Sequence, residues 1–202
     1  RDRMNLGFLA SGCGTNMQAI IDACREGRLQ ASPVIVISNN AGSGALERAT
    51  REGIVACHLS SATHPDLTQL DRTMTDTLLS HHVDLVILAG YMKKIGYQML
   101  DAFRGRIINI HPSLLPKYGG TGMYGLKVHA AVIAAGETET GVTVHVVDRD
   151  YDQGPILAQR VIPVETGDTP ESLAARVLDT EHAIYVETLC KLVSGEIRLP
   201  HV

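Results

Sequence analysis

The 202-residue chain contains no tryptophan and only two phenylalanines, so its core must be aliphatic, built from Val, Ile, Leu and Ala. Four cysteines, Cys13, Cys24, Cys57 and Cys190, stand apart without any CxxC pair. That spacing fits neither a disulfide framework nor a zinc ribbon and reads as reduced thiols. The formal net charge is −4. Broad binding of nucleic acid needs clustered Lys and Arg, and the chain has no such cluster. No stretch nears the roughly 20 apolar residues of a membrane helix, and no signal-peptide pattern precedes the first apolar run. With 45% hydrophobic and 20% charged residues, the composition is that of a globular protein and not of a disordered one. The length suits one domain. We expect it to cover residues 4–199, with Met4 as the natural start and Arg1-Asp2-Arg3 as an upstream extension.

Apolar runs alternate with helical patterns. Leu6–Ala10, Val34–Ile37 and Leu85–Ala89 read as buried strands, and Ile54–Cys57 and Ile107–Ile110 as further strands. Helical spacing runs from Asn16 to Gly27, from Gly44 to Glu52 before Gly53, and through Leu67, Leu70, Met74, Leu78 and Leu79. Continuous apolar strands separated by helices predict an α/β fold with a parallel sheet covered on both faces. Beyond Gly119-Gly120-Thr121-Gly122, a helix over 128–135 and strands over 141–147 and 156–162 follow. A long helix closes the pattern, with Thr169 placed to cap it, Pro170 in its first turn and Gly195 at its end.

Three segments carry chemistry. Ser11-Gly12-Cys13-Gly14-Thr15-Asn16 lies between a strand and a helix, where unpaired amides and a partial positive charge suit a phosphate. It lacks the Walker ending, and Met17 stands where a dinucleotide fingerprint has its third glycine. A tight turn without a ligand has the same residues. In Asn109-Ile110-His111-Pro112, side chains two apart on a strand end face the same way. Pro112 keeps His111 extended. An amide beside an imidazole suits an oxyanion forming beyond a strand's carboxyl end, although a structural pair bonded to backbone reads alike. Asp150-Tyr151-Asp152-Gln153-Gly154-Pro155 is an acidic turn. A carboxylate brought near His111 would favour the imidazolium and raise its pKa. No GxSxG elbow points to a serine hydrolase, and His111, His145 and His182 lack metal-ligand spacing, so no metal is expected.

Together these segments resemble the folate-dependent formyltransferases from Met4 to Leu199. The resemblance rests on Leu9–Ile20, on Ile108-Asn109-Ile110-His111-Pro112-Ser113-Leu114-Leu115-Pro116, on Val144–Asp148 with Asp152–Ile156, and on Glu181-His182-Ala183-Ile184-Tyr185. It implies a Rossmann-like, mostly parallel sheet with a partly antiparallel C-terminal end. The activity it implies is formyl transfer from 10-formyltetrahydrofolate, as co-substrate, to the amine of 5-phosphoribosyl-glycinamide in purine synthesis. Asn109, His111 and Asp152 would be catalytic, with His145 in support. Gly14, Thr15 and Asn16 would hold the phosphate and Glu181 the ribose hydroxyls. The folate would lie along Leu88 to Ile95, against Met92, Lys93 and Ile95, and by Asn109, Asp148 and Asp152. The family implies small-molecule substrates, no nucleic acid or membrane partner, a monomer or homodimer, and a cytoplasmic location. Lys93-Lys94 departs from the usual Arg-Ile pair, and Thr121 stands where a Lys is usual. A transferase acting on another amine or amino sugar, a formyl-folate hydrolase and a methionyl-tRNA formylating enzyme share much of the pattern. The last two belong with an additional domain or basic RNA-contact surfaces. A nucleotide-binding module without catalysis would have no use for the trio.

Overall fold

A computed structural model describes residues 3–150 and 152–200. Arg1 and Asp2 of the expected extension, and Tyr151 of the acidic turn, lie outside the described residues. Strand β1 (Met4–Ala10) leads into α1 (Thr15–Arg25), β2 (Ala31–Ser38), α2 (Gly44–Arg51), β3 (Val55–His58), α3 (Leu67–Ser80) and β4 (Leu85–Leu88). Then come α4 (Tyr97–Ala102), β5 (Ile107–His111), α5 (Leu126–Ala134), β6 (Glu139–Val146), β7 (Ile156–Pro163) and α6 (Pro170–Ser194). The strands form one seven-stranded sheet in the order β3-β2-β1-β4-β5-β6-β7. Strands β1 to β5 pair in parallel, whereas β6 pairs antiparallel with both β5 and β7.

Alternation along the strands explains the two packed layers. Leu6, Phe8 and Ala10 of β1, with Leu85 and Ile87 of β4, pack against α1, α2 and α6. Leu9 of β1, with Val86 and Leu88 of β4, faces the other way, onto Met74 and Leu78 of α3 and Met99 and Leu100 of α4. Period-two strands buried on both faces give the uninterrupted apolar runs seen in the sequence. Strand β3 is the sheet edge, and Val55 is 45% exposed. The C-terminal helix begins as its sequence predicts, with the Thr169 side chain accepting from Ser172 N and Ser172 Oγ accepting from Thr169 N. Among the described residues no helix is long and apolar enough to cross a membrane.

The strand order reverses beside β1: the chain moves out to β2 and β3, then returns to lay β4 on the other side. The loops leaving β1 and β4 therefore part at their carboxyl ends, which is where open α/β sheets bind ligands.

Candidate active site

Strand pairing brings the central residues together. Asn109 of β5 stands directly opposite His145 of β6 in the antiparallel register. Their side chains approach to 3.4 Å between Nδ2 and Nε2. His145 Nδ1 lies 3.3 Å from the carbonyl of Val146, which leaves Nε2 turned toward the Asn109 amide and Asp152. His111, the last residue of β5, donates from Nε2 to the carbonyl of Tyr118 at 2.7 Å. Its free nitrogen, Nδ1, faces Asp152 Oδ2 at 3.8 Å, and Asp152 Oδ1 lies 3.5 Å from His145 Nε2. Asp152 thus sits between two buried imidazoles, and its Oδ2 also accepts from Gly120 N at 2.9 Å.

The backbone that delivers Asp152 is unusual. Its φ is 53°, a left-handed conformation that Asp tolerates better than most residues. Two residues on, the space a Cβ would need at Gly154 is filled by the carbonyl of Val146, so only glycine lets the turn fold onto β6. The segment after His111 is held by Thr143. Its hydroxyl donates to Ser113 O at 2.7 Å and accepts from Leu115 N at 3.1 Å and Gln159 Nε2 at 3.0 Å. Nothing in the sequence pattern marks Thr143, because its role depends on β6 lying across this segment.

Charge at the trio differs from the sequence expectation in one respect. Burial lowers the His111 pKa, and the opposing pull of Asp152 and of the Tyr118 carbonyl does not restore it. Asp152 therefore favours the imidazolium, as expected, but does not keep His111 charged in the ligand-free chain. The sequence shows the carboxylate but not the depth of burial that outweighs it. Burial also pushes the Asp152 carboxyl up, yet His145, the Gly120 amide and His111 together hold it below the usual value. The arrangement is a neutral imidazole with an open Nδ1 facing an ionised carboxylate, so a proton arriving at Nδ1 is stabilised.

Two clefts meet at the trio. The larger, about 730 Å³, runs past Asn16, Asn109, His111, Gly120, His129 and Glu181. At one end, α1 starts from Gly14, whose φ is 77° and which gives no side-chain cap. The first amides of α1 are left for an anion. Thr15 Oγ1 is hydrogen bonded to His182 Nε2 at 3.1 Å, and Asn16 Nδ2 donates to Glu181 Oε1 at 3.3 Å. Burial pushes the Glu181 carboxyl up to about 7, against the Asn16 amide, which lowers it. Asn16 Oδ1 and His129 Nδ1 are buried without a partner among the described residues. Buried polar atoms are nearly always paired, so these two orphans mark a cleft built to receive hydrogen-bonding groups. His129 went unremarked in the sequence, where a histidine in an apolar helix carries no signal.

The smaller cleft, about 100 Å³, lies between Leu88, Ile95, Leu100, Asn109, Asp148 and Asp152. Lys93 borders both clefts. Met92, expected beside Ile95, lines the larger cleft, with its amide donating to Ser11 Oγ at 2.8 Å. Asp148 accepts from the amide of Asp150 and shapes the loop that precedes Asp152. Asn16, Met92, Lys93, Ile95, Asn109, His111, His145, Asp148, Asp152 and Glu181 border one of two clefts that share Asn109 and Asp152, whereas Gly14 and Thr15 line neither and stand just before Asn16 at the start of α1. A wider groove of about 990 Å³ lies among Arg3, Asp84 and Glu196, by the first residues of β1 and apart from every one of them. Among the described residues no three His, Cys, Asp or Glu side chains form a group that could hold a metal ion.

Comparison with known proteins matches residues 4–189 to a model described as formyl transferase. A Vigna unguiculata protein named "Phosphoribosylglycinamide formyltransferase, chloroplastic" is 44% identical over 96% of this chain and 62% of its own length. The chain thus spans less than two thirds of that relative. The Escherichia coli phosphoribosylglycinamide formyltransferase is 36% identical over 97% of this chain and 90% of its own. The crystal structure of glycinamide ribonucleotide transformylase 1 from Symbiobacterium toebii superposes with a TM-score of 0.90 at 41% identity, covering 98% of this chain and 95% of that one. These matches take in both clefts and the trio between them, and the chain belongs to the formyl transferase family.

Proposed function

We propose that the chain transfers the formyl group of 10-formyltetrahydrofolate to the amine of 5-phosphoribosyl-glycinamide, giving the formylated ribonucleotide and tetrahydrofolate. The observation that carries this reading is the placement of Asn109, His111 and Asp152 where a large cleft meets a small one. Two substrates entering from opposite sides would meet there. The ribonucleotide phosphate sits on the α1 amides at Gly14, Thr15 and Asn16, and Glu181 takes the ribose hydroxyls. The folate ring fills the small cleft by Ile95, Asp148 and Asp152, with Met92 and Lys93 along its path outward.

The residue types suit the reaction. As the amine attacks the formyl carbon, the carbonyl oxygen becomes an alkoxide. The Asn109 amide donates to it. Neutral His111 takes the amine's proton at Nδ1, through water ordered by Asp152, and the imidazolium so formed adds its own stabilisation. The same proton then goes to the departing folate nitrogen. No covalent enzyme intermediate is required, and holding two substrates in line supplies much of the acceleration. The chain works as one domain over residues 4–199, in the cytoplasm, on small molecules alone, without metal, as a monomer or homodimer.

A steady-state assay tests the reading. With a formyl-folate analogue whose deformylated product absorbs, colour should develop only when the ribonucleotide amine is present. Colour without acceptor would make the chain a hydrolase, and a stronger response to another phosphorylated amine or amino sugar would reassign the acceptor.

A further inference from the structure

Beside the small cleft, behind the Lys93–Gly96 strap, a cavity of about 380 Å³ opens between α3 and α4, with Asp71 in its wall. Asp71 belongs to α3, yet its carboxylate accepts from Gln98 N at 2.9 Å and from Met99 N at 3.2 Å. Both amides belong to the first turn of α4, whose own N-cap is Gly96 and which has no side-chain cap of its own. A six-residue helix cannot hold itself together. Its cap comes from another helix, across the strap that walls the folate side of the site.

The surroundings are built for this contact. A Cβ at Gly96 would overlap the Asp71 carboxyl group, so glycine at 96 is required by space. Thr75 Oγ1 donates to the Asp71 carbonyl at 2.7 Å, and Gln98 Nε2 donates to Thr68 O at 3.2 Å, a second tie between α3 and α4. On the far side of the strap, Ile95 and α4's Leu100 both line the small cleft that reaches Asn109 and Asp152. One carboxylate therefore fixes two walls of that cleft while touching nothing inside it.

We propose that Asp71 is a positioning residue for the folate: through α4 and the Lys93–Gly96 strap it holds the small cleft in its binding shape. The inference rests on the function proposed above. Without the cap, the strap and α4 sample open arrangements, and the folate must order them on binding. The cost falls on folate affinity, not on turnover once folate is bound and not on the phosphate end of the larger cleft.

The test is a cycle through residues 71 and 96, read by kinetics and by amide hydrogen exchange. Asp71→Ala should raise KM for the formyl-folate about five- to tenfold, leaving kcat and the acceptor KM within about twofold. Exchange at the Gln98 and Met99 amides should quicken selectively. Gly96→Ser in the Asp71→Ala background places a hydroxyl at the vacant N-cap and should return folate KM most of the way. Gly96→Ser alone, with the carboxylate still in place, should raise it. Unchanged folate KM in Asp71→Ala, or a fall in kcat with both KM values rising together, overturns the proposal. Equilibrium binding of the formyl-folate analogue to the wild-type chain separates the two readings. No binding there removes the proposed function and the positioning role with it, whereas normal wild-type binding with unchanged binding in Asp71→Ala removes the positioning role alone.

Discussion

Asp152 Oδ2 stands 3.8 Å from His111 Nδ1, while the other nitrogen of the same ring gives its proton to the Tyr118 carbonyl at 2.7 Å. The hydrogen bond to Tyr118 settles where the neutral ring carries its proton, and the carboxylate settles where a second proton would go. Burial lowers the His111 pKa and Asp152 opposes that shift. The pair is thus a proton acceptor near neutrality, and a strong donor once loaded.

Replacing Asp152 by Asn removes the charge that favours the imidazolium and leaves the desolvation. The His111 pKa should move further below its ordinary value, and an NMR titration of the ring would read it directly. An unchanged or raised pKa contradicts the pairing. Turnover should fall by about 10² to 10⁴, the range for loss of a positioned acid–base group, with little change in acceptor affinity.

Glu181 gives a pH dependence of its own. Burial raises its carboxyl from the ordinary 4.5 to about 7. Between those two values the folded chain binds more protons than the unfolded one, so this group's contribution is fully present below 4.5 and lost as pH rises through about 7. Glu181→Gln should therefore be more stable than wild type at pH 8, by on the order of 3 kcal/mol, and nearly equal to it at pH 4.5. The buried His111, lowered in pKa, acts in the opposite sense. It is common to both proteins and cancels in the difference. Thermal unfolding of the pair at pH 5 and pH 8 reads the sign, and weaker ribonucleotide binding by the variant reads the functional role.

Thr143 supports His111 through the segment that follows it. Thr143→Val keeps the shape but strands the Leu115 amide, which should cost about 1–3 kcal/mol. For a chain of this size that lowers Tm by roughly 2–4 °C per kcal/mol. With the Ser113–Tyr118 segment loosened, the Tyr118 carbonyl drifts from His111 Nε2, and the His111 pKa should fall further, since that carbonyl raises it. Thr143→Ser, which keeps the hydroxyl, should show neither change.

The parallel half of the fold is legible because its strands are buried on both faces and read as unbroken runs such as Leu85–Leu88. The edge strand β3 has the same apolar appearance in Val55-Ala56-Cys57 but lies half in solvent, since a short run does not reveal whether a neighbour covers it. At the site, Asn109 and His111 could be placed on one face from strand periodicity alone. The meeting of His111 with Asp152 could not, because it depends on a left-handed Asp152 and on Gly154 lying against Val146. Burial of His111 is likewise a property of the assembled β5–β6 region, so its neutral state has no local signature. Thr143 and Asp71 act on backbone groups far along the chain and carry none either.

Gly14 is the position where the phosphate reading and the fold make the same demand. Its φ of 77° lies in the left-handed region, and a Cβ there would stand 3.0 Å from Ala45 Cα. Ala45 cannot retreat, because its amide donates to Gly12 O at 3.0 Å and ties α2 to the loop. Arg48 of α2 holds the same loop by donating from Nε to Cys13 O at 2.8 Å. Gly14→Ala must therefore strain the turn by about 1–2 kcal/mol or push the loop away from α2, and either turns the first α1 amides off the anion. The acceptor KM should rise at least about tenfold, the equivalent of 1.4 kcal/mol, while the formyl-folate KM stays within about twofold. If both KM values rise together, or neither does, the phosphate does not rest on the α1 amides.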